Sequence, residues 1–159
     1  MSTVRAANPV RTADLRAAGP GDRDQVLTWN QAPDVRAASL DPRPIDPAAH
    51  ARWFAARLAD PHGQIWIAEV AGVAVGVVRI ERERADADGR ISIVLDPAWR
   101  GRGVGRAIIT AACAADPGAV IAEIRPDNLA SQAAFAAAGF VRCPPRDRAG
   151  ALAYRWSRP

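Results

Sequence analysis

The chain contains no lysine, one methionine, one tyrosine and two cysteines, and the lack of lysine and the scarcity of cysteine each remove a class of function. Without lysine there is no Gly-Lys-Ser/Thr, so a P-loop nucleotide site is excluded. Cys113 and Cys143 are too few for a disulfide framework and lack metal-ligand spacing, so no metal is expected. They read as small buried apolar residues in a reducing cytoplasm. No apolar run approaches the roughly 18 residues that span a bilayer, so no membrane partner is expected. Met1 to Arg11 mixes Arg, Asn and Pro and lacks the apolar centre of a signal peptide. The net charge of +4 rests on arginine alone. Those arginines are scattered rather than grouped, whereas a nucleic-acid groove needs clustered charge with interleaved aromatics. A modest positive balance suits a polyanionic small molecule instead.

What remains is a chain of 159 residues, nearly half of it apolar, which suits one domain over 1–159. A first strand is expected at Val10 to Ala17. Gly19-Pro20-Gly21-Asp22 breaks the chain, and Asp22 reads as the cap of a helix through Val26, Leu27 and Trp29. Asp46, with Pro47 at the first helical position, opens a second helix through Trp53, Phe54 and Leu58. The period then changes to that of strands: Gln64–Val70, Val73–Ile80 and Ile91–Leu95 read as an antiparallel meander, with Ala71-Gly72 turning the first pair. Helices from Gly103 to Ala115 and Asn128 to Ala138 alternate with strands at Ala119–Ile124 and Ala151–Trp156. This order predicts an α/β fold, a mixed and mostly antiparallel sheet flanked by about four helices.

Chemistry concentrates at Arg100-Gly101-Arg102-Gly103-Val104-Gly105-Arg106, between a strand and an amphipathic helix. Glycines let the backbone turn sharply and come close to a ligand. The first N–H groups of the helix have no partners within it, and the helix dipole favours an anion there. Arg100, Arg102 and Arg106 add charge-assisted bonds to phosphate oxygens. A Rossmann fingerprint would need a further glycine where Arg106 stands, and a parallel sheet. A pyrophosphate-like ligand fits best.

The run Ile93-Val94-Leu95-Asp96-Pro97-Ala98-Trp99 with this segment resembles the cofactor motif of GNAT-superfamily N-acetyltransferases, Arg/Gln-x-x-Gly-x-Gly/Ala. Glu123, Asn128, Ser131, Phe135 and Gly139-Phe140 are similar to a second block of that superfamily. The resemblance implies acetyl-CoA as cosubstrate and a sheet splayed into a V. It implies that main-chain groups of Ile93, Val94 and Leu95 bond the pantetheine arm. Gly101 to Arg106 would hold the pyrophosphate, with Asn128 near the thioester. Asn128 also reads as a plain helix cap. Phe135 stands where the superfamily commonly has a tyrosine that protonates departing CoA. It should still line the pocket, with water or Tyr154 as the acid.

Acetyl transfer to an amine requires the neutral nucleophile. A lysine-like amine of pKa about 10.4 is neutral in roughly one molecule in two thousand at pH 7, a deficit of about 4–5 kcal/mol. Glu123 is the expected general base, on the resemblance to ribosomal-protein alanine N-acetyltransferases; Glu81, Glu83 and His50 are alternatives. The plainer reading of Glu123 is pairing with an arginine such as Arg125 or Arg79. A backbone N–H near Leu95 would stabilise the oxyanion. The first half of the chain, around Trp29 to Arg36 and His50 to Phe54, loosely resembles relatives that acetylate nucleotide-linked amino sugars. Trp29, Trp53 and Trp66 would then stack on a sugar or base, and Arg36, Arg43 and Arg52 would receive a diphosphate. The same aromatics read equally as core, and the arginines as solvated. A small-molecule amine is therefore the expected acceptor. A protein N-terminus and a non-catalytic acyl-CoA sensor stand as alternatives, and a homodimer is compatible with each.

Overall fold

Turn chemistry and hydrophobic period divide residues 9–159, the part described by this computed structural model, into alternating strands and helices. In chain order they are β1 (Asp14–Ala17), α1 (Arg23–Gln31), α2 (Pro33–Ala38), α3 (Pro47–Ala59), β2 (Gln64–Val70), β3 (Val73–Glu81) and β4 (Gly89–Leu95). There follow α4 (Val104–Ala115), β5 (Val120–Ile124), α5 (Leu129–Ala137), β6 (Val141–Cys143) and β7 (Leu152–Trp156). The strands form one seven-stranded sheet in the order β1-β2-β3-β4-β5-β7-β6. Only the β4–β5 pair is parallel. The mixed, mostly antiparallel α/β sheet is as expected. Among the described residues no helix is long and apolar enough to cross a membrane.

The differences from expectation have local causes. There are five helices rather than about four, because Pro33 starts the short α2 directly after α1. Six residues without an apolar stripe leave no helical period to read. β6 is three residues of largely exposed chain, paired only to β7. β1 is shorter than Val10–Ala17. Asp22 precedes α1 but does not cap it; its carboxylate accepts from both Nη groups of Arg16, at 2.8 and 2.9 Å, and from the Gly19 amide. Asp46 does cap α3, accepting from the Ala49 amide at 2.8 Å.

Alternation puts apolar residues on both faces of the sheet. One face packs Val78, Ile80, Ile91, Val120 and Ala122 against Val104, Ile108 and Ile109 of α4 and Phe135 of α5. The other packs Ile65, Ile67 and Val77 against Val26 and Trp29 of α1 and Phe54 of α3. Trp29 and Trp66, two of the expected stacking residues, lie in these cores.

The feature that positions the site is where the sheet comes apart. β4 pairs with β5 only at Gly89↔Val120 and Arg90↔Ile121; beyond that the two strands separate. The root of this V is clamped. Arg82 forms a bidentate ion pair with Asp116, both side chains being 6% exposed. It also donates to the carbonyls of Ala87 and Ala119, while the Gly89 amide donates to Ala119 at 2.8 Å. A Cβ at Gly89 or Gly118 would fall within 3 Å of the Arg82 guanidinium, so both positions admit the clamp only as glycine.

Removing one partner of a buried ion pair leaves an uncompensated charge. Arg82→Gln should therefore lose about 3–5 kcal/mol in urea unfolding at unchanged slope. Adding Asp116→Asn should cost less than the sum of the two single changes. Nearby, burial and then Asp116 push the Cys113 thiol up to about 12 from an ordinary 9.0. The folded state keeps a proton that the unfolded chain loses. That stability is present in full below about pH 9 and declines as pH rises from there toward 12. Between pH 8 and 10, Cys113→Ala should lose less stability than the parent chain.

Candidate active site

The open end of the V gathers the glycine segment and the free edge of β4. The Asp96 amide donates to Val75 at 2.8 Å, which fixes the alternation of the β3–β4 ladder. Residues 92, 94 and 96 turn their main-chain groups to β3, while Ile93 and Leu95 turn theirs toward the gap. Of the three residues expected to present free amides, Ile93 and Leu95 do so and Val94 is spent on the ladder. The Leu95 carbonyl already accepts from Arg100 at 3.3 Å.

Gly101 and Gly103 have φ of 72° and 78°, a conformation that strains any other residue. A Cβ at Gly103 would also stand 3.1 Å from the Val10 carbonyl. The turn they make delivers the start of α4 to the gap. Its first intrahelical bond runs from Ala107 to Gly103, and no side chain caps it. The amides of Val104, Gly105 and Arg106 thus have no partner within the helix. The segment's arginines differ in their freedom. Arg100 is ion-paired to Asp34 of α2, and this bond holds the Asp34 carboxyl below its ordinary range. Arg102 stacks on Trp99, 4.4 Å from the ring centroid. Arg106 is exposed on the first turn of α4.

The other limb is β5 and the start of α5. Asn128 caps α5, its side-chain oxygen accepting from the Ser131 amide at 3.2 Å. Phe135 is 4% exposed and meets Phe140 edge-on at 5.0 Å, so it is part of the core rather than an open wall of the cleft. The Tyr154 hydroxyl donates to Gln132 at 3.2 Å and is tied to α5.

Glu123 does not have the surroundings of a base. Its side chain is 2% exposed, and one carboxylate oxygen accepts from the amides of Asp147 and Arg148, at 3.0 and 3.1 Å. The other lies 3.0 Å from Arg90. A buried carboxylate bonded by two amides and set beside an arginine holds the loop between β6 and β7 in place and turns no free oxygen to a substrate. Pairing with an arginine was the plainer reading, although the partner is Arg90 rather than Arg125 or Arg79. Arg79 lies instead beside Glu81, and Arg125 pairs with Asp127.

On the α1–α3 face a pocket of about 290 Å³ opens among Asn30, Arg36, Ile45, His50, Trp53 and Arg79. His50 is 4% exposed, stacks on Phe54, and has no hydrogen-bond partner at either ring nitrogen. Burial, then Arg23 and Arg79, hold it below its ordinary pKa, so it is neutral near pH 7. Arg79 lies 5.0 Å over the Trp53 ring. Arg43 and Arg52, expected with Arg36 to receive a diphosphate, do not line this pocket; both are exposed, Arg43 folded onto its neighbour Asp41. Arg79 was not foreseen as a pocket residue, although an arginine interrupting Val77-Val78-Arg79-Ile80 is a legible signal. Among the described residues no cluster of His, Cys, Asp or Glu is suited to a metal ion.

A family model described as an acetyltransferase (GNAT) domain matches residues 14–141. No curated protein matches the chain. Among solved structures, the aminoglycoside acetyltransferase AAC(6')-Ib in complex with ribostamycin and coenzyme A is similar at TM-score 0.77 and 16% identity, over 92% of this chain and 94% of that one. The spermidine N-acetyltransferase of Vibrio cholerae, solved with CoA and spermine, has TM-score 0.75 and 15% identity, over 91% and 93%. The putative acetyltransferase yncA of Salmonella typhimurium, solved with acetyl-CoA, has TM-score 0.74 and 20% identity, over 92% and 94%. Identities this low carry the fold and no more.

If Glu123 anchors the loop, Glu123→Gln should cost about 1.5–3 kcal/mol, the worth of hydrogen bonds to a charged group. Tryptic cleavage after Arg146 and Arg148 should quicken in step. A stable, uncleaved variant would contradict the anchoring role.

Proposed function

The chain belongs to the GNAT acetyltransferase family, and from that premise we propose that it moves the acetyl group of acetyl-CoA to a primary amine of a small molecule. The observation that carries this reading is the splay of β4 from β5 beside an uncapped helix start. The amides of Val104, Gly105 and Arg106 take the pyrophosphate, with Gly101 and Gly103 shaping the turn and Arg106 adding charge. Ile93 and Leu95 bond the amides of the pantetheine arm, much as an added strand would. Asn128 bounds the arm from the α5 side, over the buried Phe135.

The acceptor enters from the α1–α3 face, where Val94 packs against the same apolar cluster as the pocket's Trp53. Its nitrogen attacks the thioester carbonyl, the C–S bond breaks, and the electron pair leaves with sulfur. A main-chain N–H near Leu95 stabilises the oxyanion. Thiols have pKa about 8.5, so thiolate departs tolerably near neutral pH, and water supplies its proton in place of the hydroxyl that Phe135 lacks. His50, kept neutral by burial, takes the proton that the amine loses.

Thermal melts with acetyl-CoA, CoA, ATP and NAD test the cofactor. At a hundred times the dissociation constant a ligand adds about 2.7 kcal/mol, enough to raise the midpoint by several degrees. Both CoA species should produce this rise, ATP and NAD should not, and Gly103→Val should abolish it. No rise with CoA would remove the reading.

The base is tested separately. His50→Gln should lower turnover about a hundredfold or more. It should also remove a limb of the pH profile whose midpoint lies below about 6.5, with activity rising as pH increases through it.

A further inference from the structure

The pocket on the α1–α3 face has two arginines in its lining and no carboxylate. We propose that the acceptor is an amine that also carries an anionic group, a carboxylate or a phosphate, seated against Arg79. This rests on the acetyltransferase reading and narrows its substrate.

The charge of the pocket is not neutralised by its own walls. Arg36 donates to the carbonyls of Asn30, Asp41 and Arg43 and to the Ser39 hydroxyl, all neutral acceptors. Those bonds hold the chain between α2 and α3 in place, and none of them is to a carboxylate. Arg79 is compensated by Glu81 alone. Its Nε lies 3.3 Å from Glu81 but makes no aligned hydrogen bond, and among the described residues its Nη groups donate to nothing. Glu81 is shared with Arg57 at 3.7 Å. Burial and the neighbouring Arg148 and Arg57 oppose the charge on Arg79, and Glu81 relieves it only in part.

A half-buried guanidinium with open donors and one face on an indole suits a planar or tetrahedral oxyanion. His50 and Asn30, both buried, supply the remaining polar contacts. A polycation would meet like charge here, in contrast to the spermine and ribostamycin bound by the structural neighbours. The size also discriminates. About 290 Å³ is at the small end of ligand pockets, so it accepts an amino acid or a sugar phosphate, and the nucleotide of a nucleotide-linked sugar would lie outside it.

The test pairs methionine with methionine amide and glucosamine 6-phosphate with glucosamine, with spermidine as a fifth amine. Binding is measured by calorimetry on the CoA-saturated protein, and turnover by thiol release from acetyl-CoA. In at least one pair the anionic member should be favoured about thirtyfold or more. Arg79→Gln should erase that preference, and Arg79→Lys, which keeps the charge, should restore part of it. Which pair responds separates carboxylate from phosphate.

Equal use of both members, preference for spermidine, no binding by any amine, or a preference that survives Arg79→Gln would each overturn the proposal. Arg79-dependent binding of an anionic amine without thiol release would uphold this site and overturn acetyl transfer. Thiol release with spermidine alone would do the reverse.

Discussion

The buried ion pair between Arg82 and Asp116 holds the one point from which the rest of the site is laid out. It stands where β4 and β5 are last in contact, and every free main-chain group in the cleft lies downstream of it. Buried ion pairs rarely add stability over a well-packed apolar substitute, so the pair's value here is geometric. One guanidinium binds the carboxylate beyond α4, a carbonyl in the β3–β4 turn and the carbonyl preceding β5. It thereby fixes three chain segments that converge from different elements. An apolar contact is non-directional and would leave the angle between the strands less well defined.

That angle explains how an arginine-rich motif uses so few of its arginines on the ligand side. The widened gap lets the helix start and the β4 edge offer main-chain donors, which carry no rotamer entropy to lose. Side chains then serve as scaffolding. Arg100 ties the segment to α2 through Asp34, and Arg102 lies flat on Trp99. Arg106, exposed on the first turn of α4, is neither ion-paired nor stacked among the described residues. Affinity for a diphosphate would thus depend more on the positive φ of Gly101 and Gly103 than on the count of positive charges.

The legibility of this molecule follows the range of the interactions involved. β2, β3, α3 and α4 were readable because each is set by its own period and its own caps, such as Asp46 and Pro47. The glycine segment was readable because its conformation is written in residues i to i+6. α2 and β6 carry no local period and exist because neighbours hold them. Glu123 shows the limit most clearly. In sequence it is a carboxylate in an apolar strand, the pattern of a poised acid or base. In the fold that pattern is satisfied by amides at 147 and 148 and by Arg90, contacts that no spacing rule foresees. Arg79 is the converse case. An arginine among valines reads as an odd strand residue until α3 brings Trp53 and His50 over it.

The same positive pocket that selects an anion also addresses the protonation problem of the reaction. A nearby positive charge disfavours the charged form of an amine and lowers its pKa, and each unit lowered removes about 1.4 kcal/mol from the deficit. An amine of pKa about 8 has only about 1.4 kcal/mol to recover at pH 7, against about 4–5 for a lysine-like amine. A strong base is then unnecessary, and a neutral imidazole at His50 suffices, while Glu81 on the same face is taken up by Arg79 and Arg57. The anionic group on the acceptor has the contrary effect on its own amine, so binding it against Arg79 neutralises that penalty at the moment the nitrogen must lose its proton. Recognition and activation become one electrostatic arrangement.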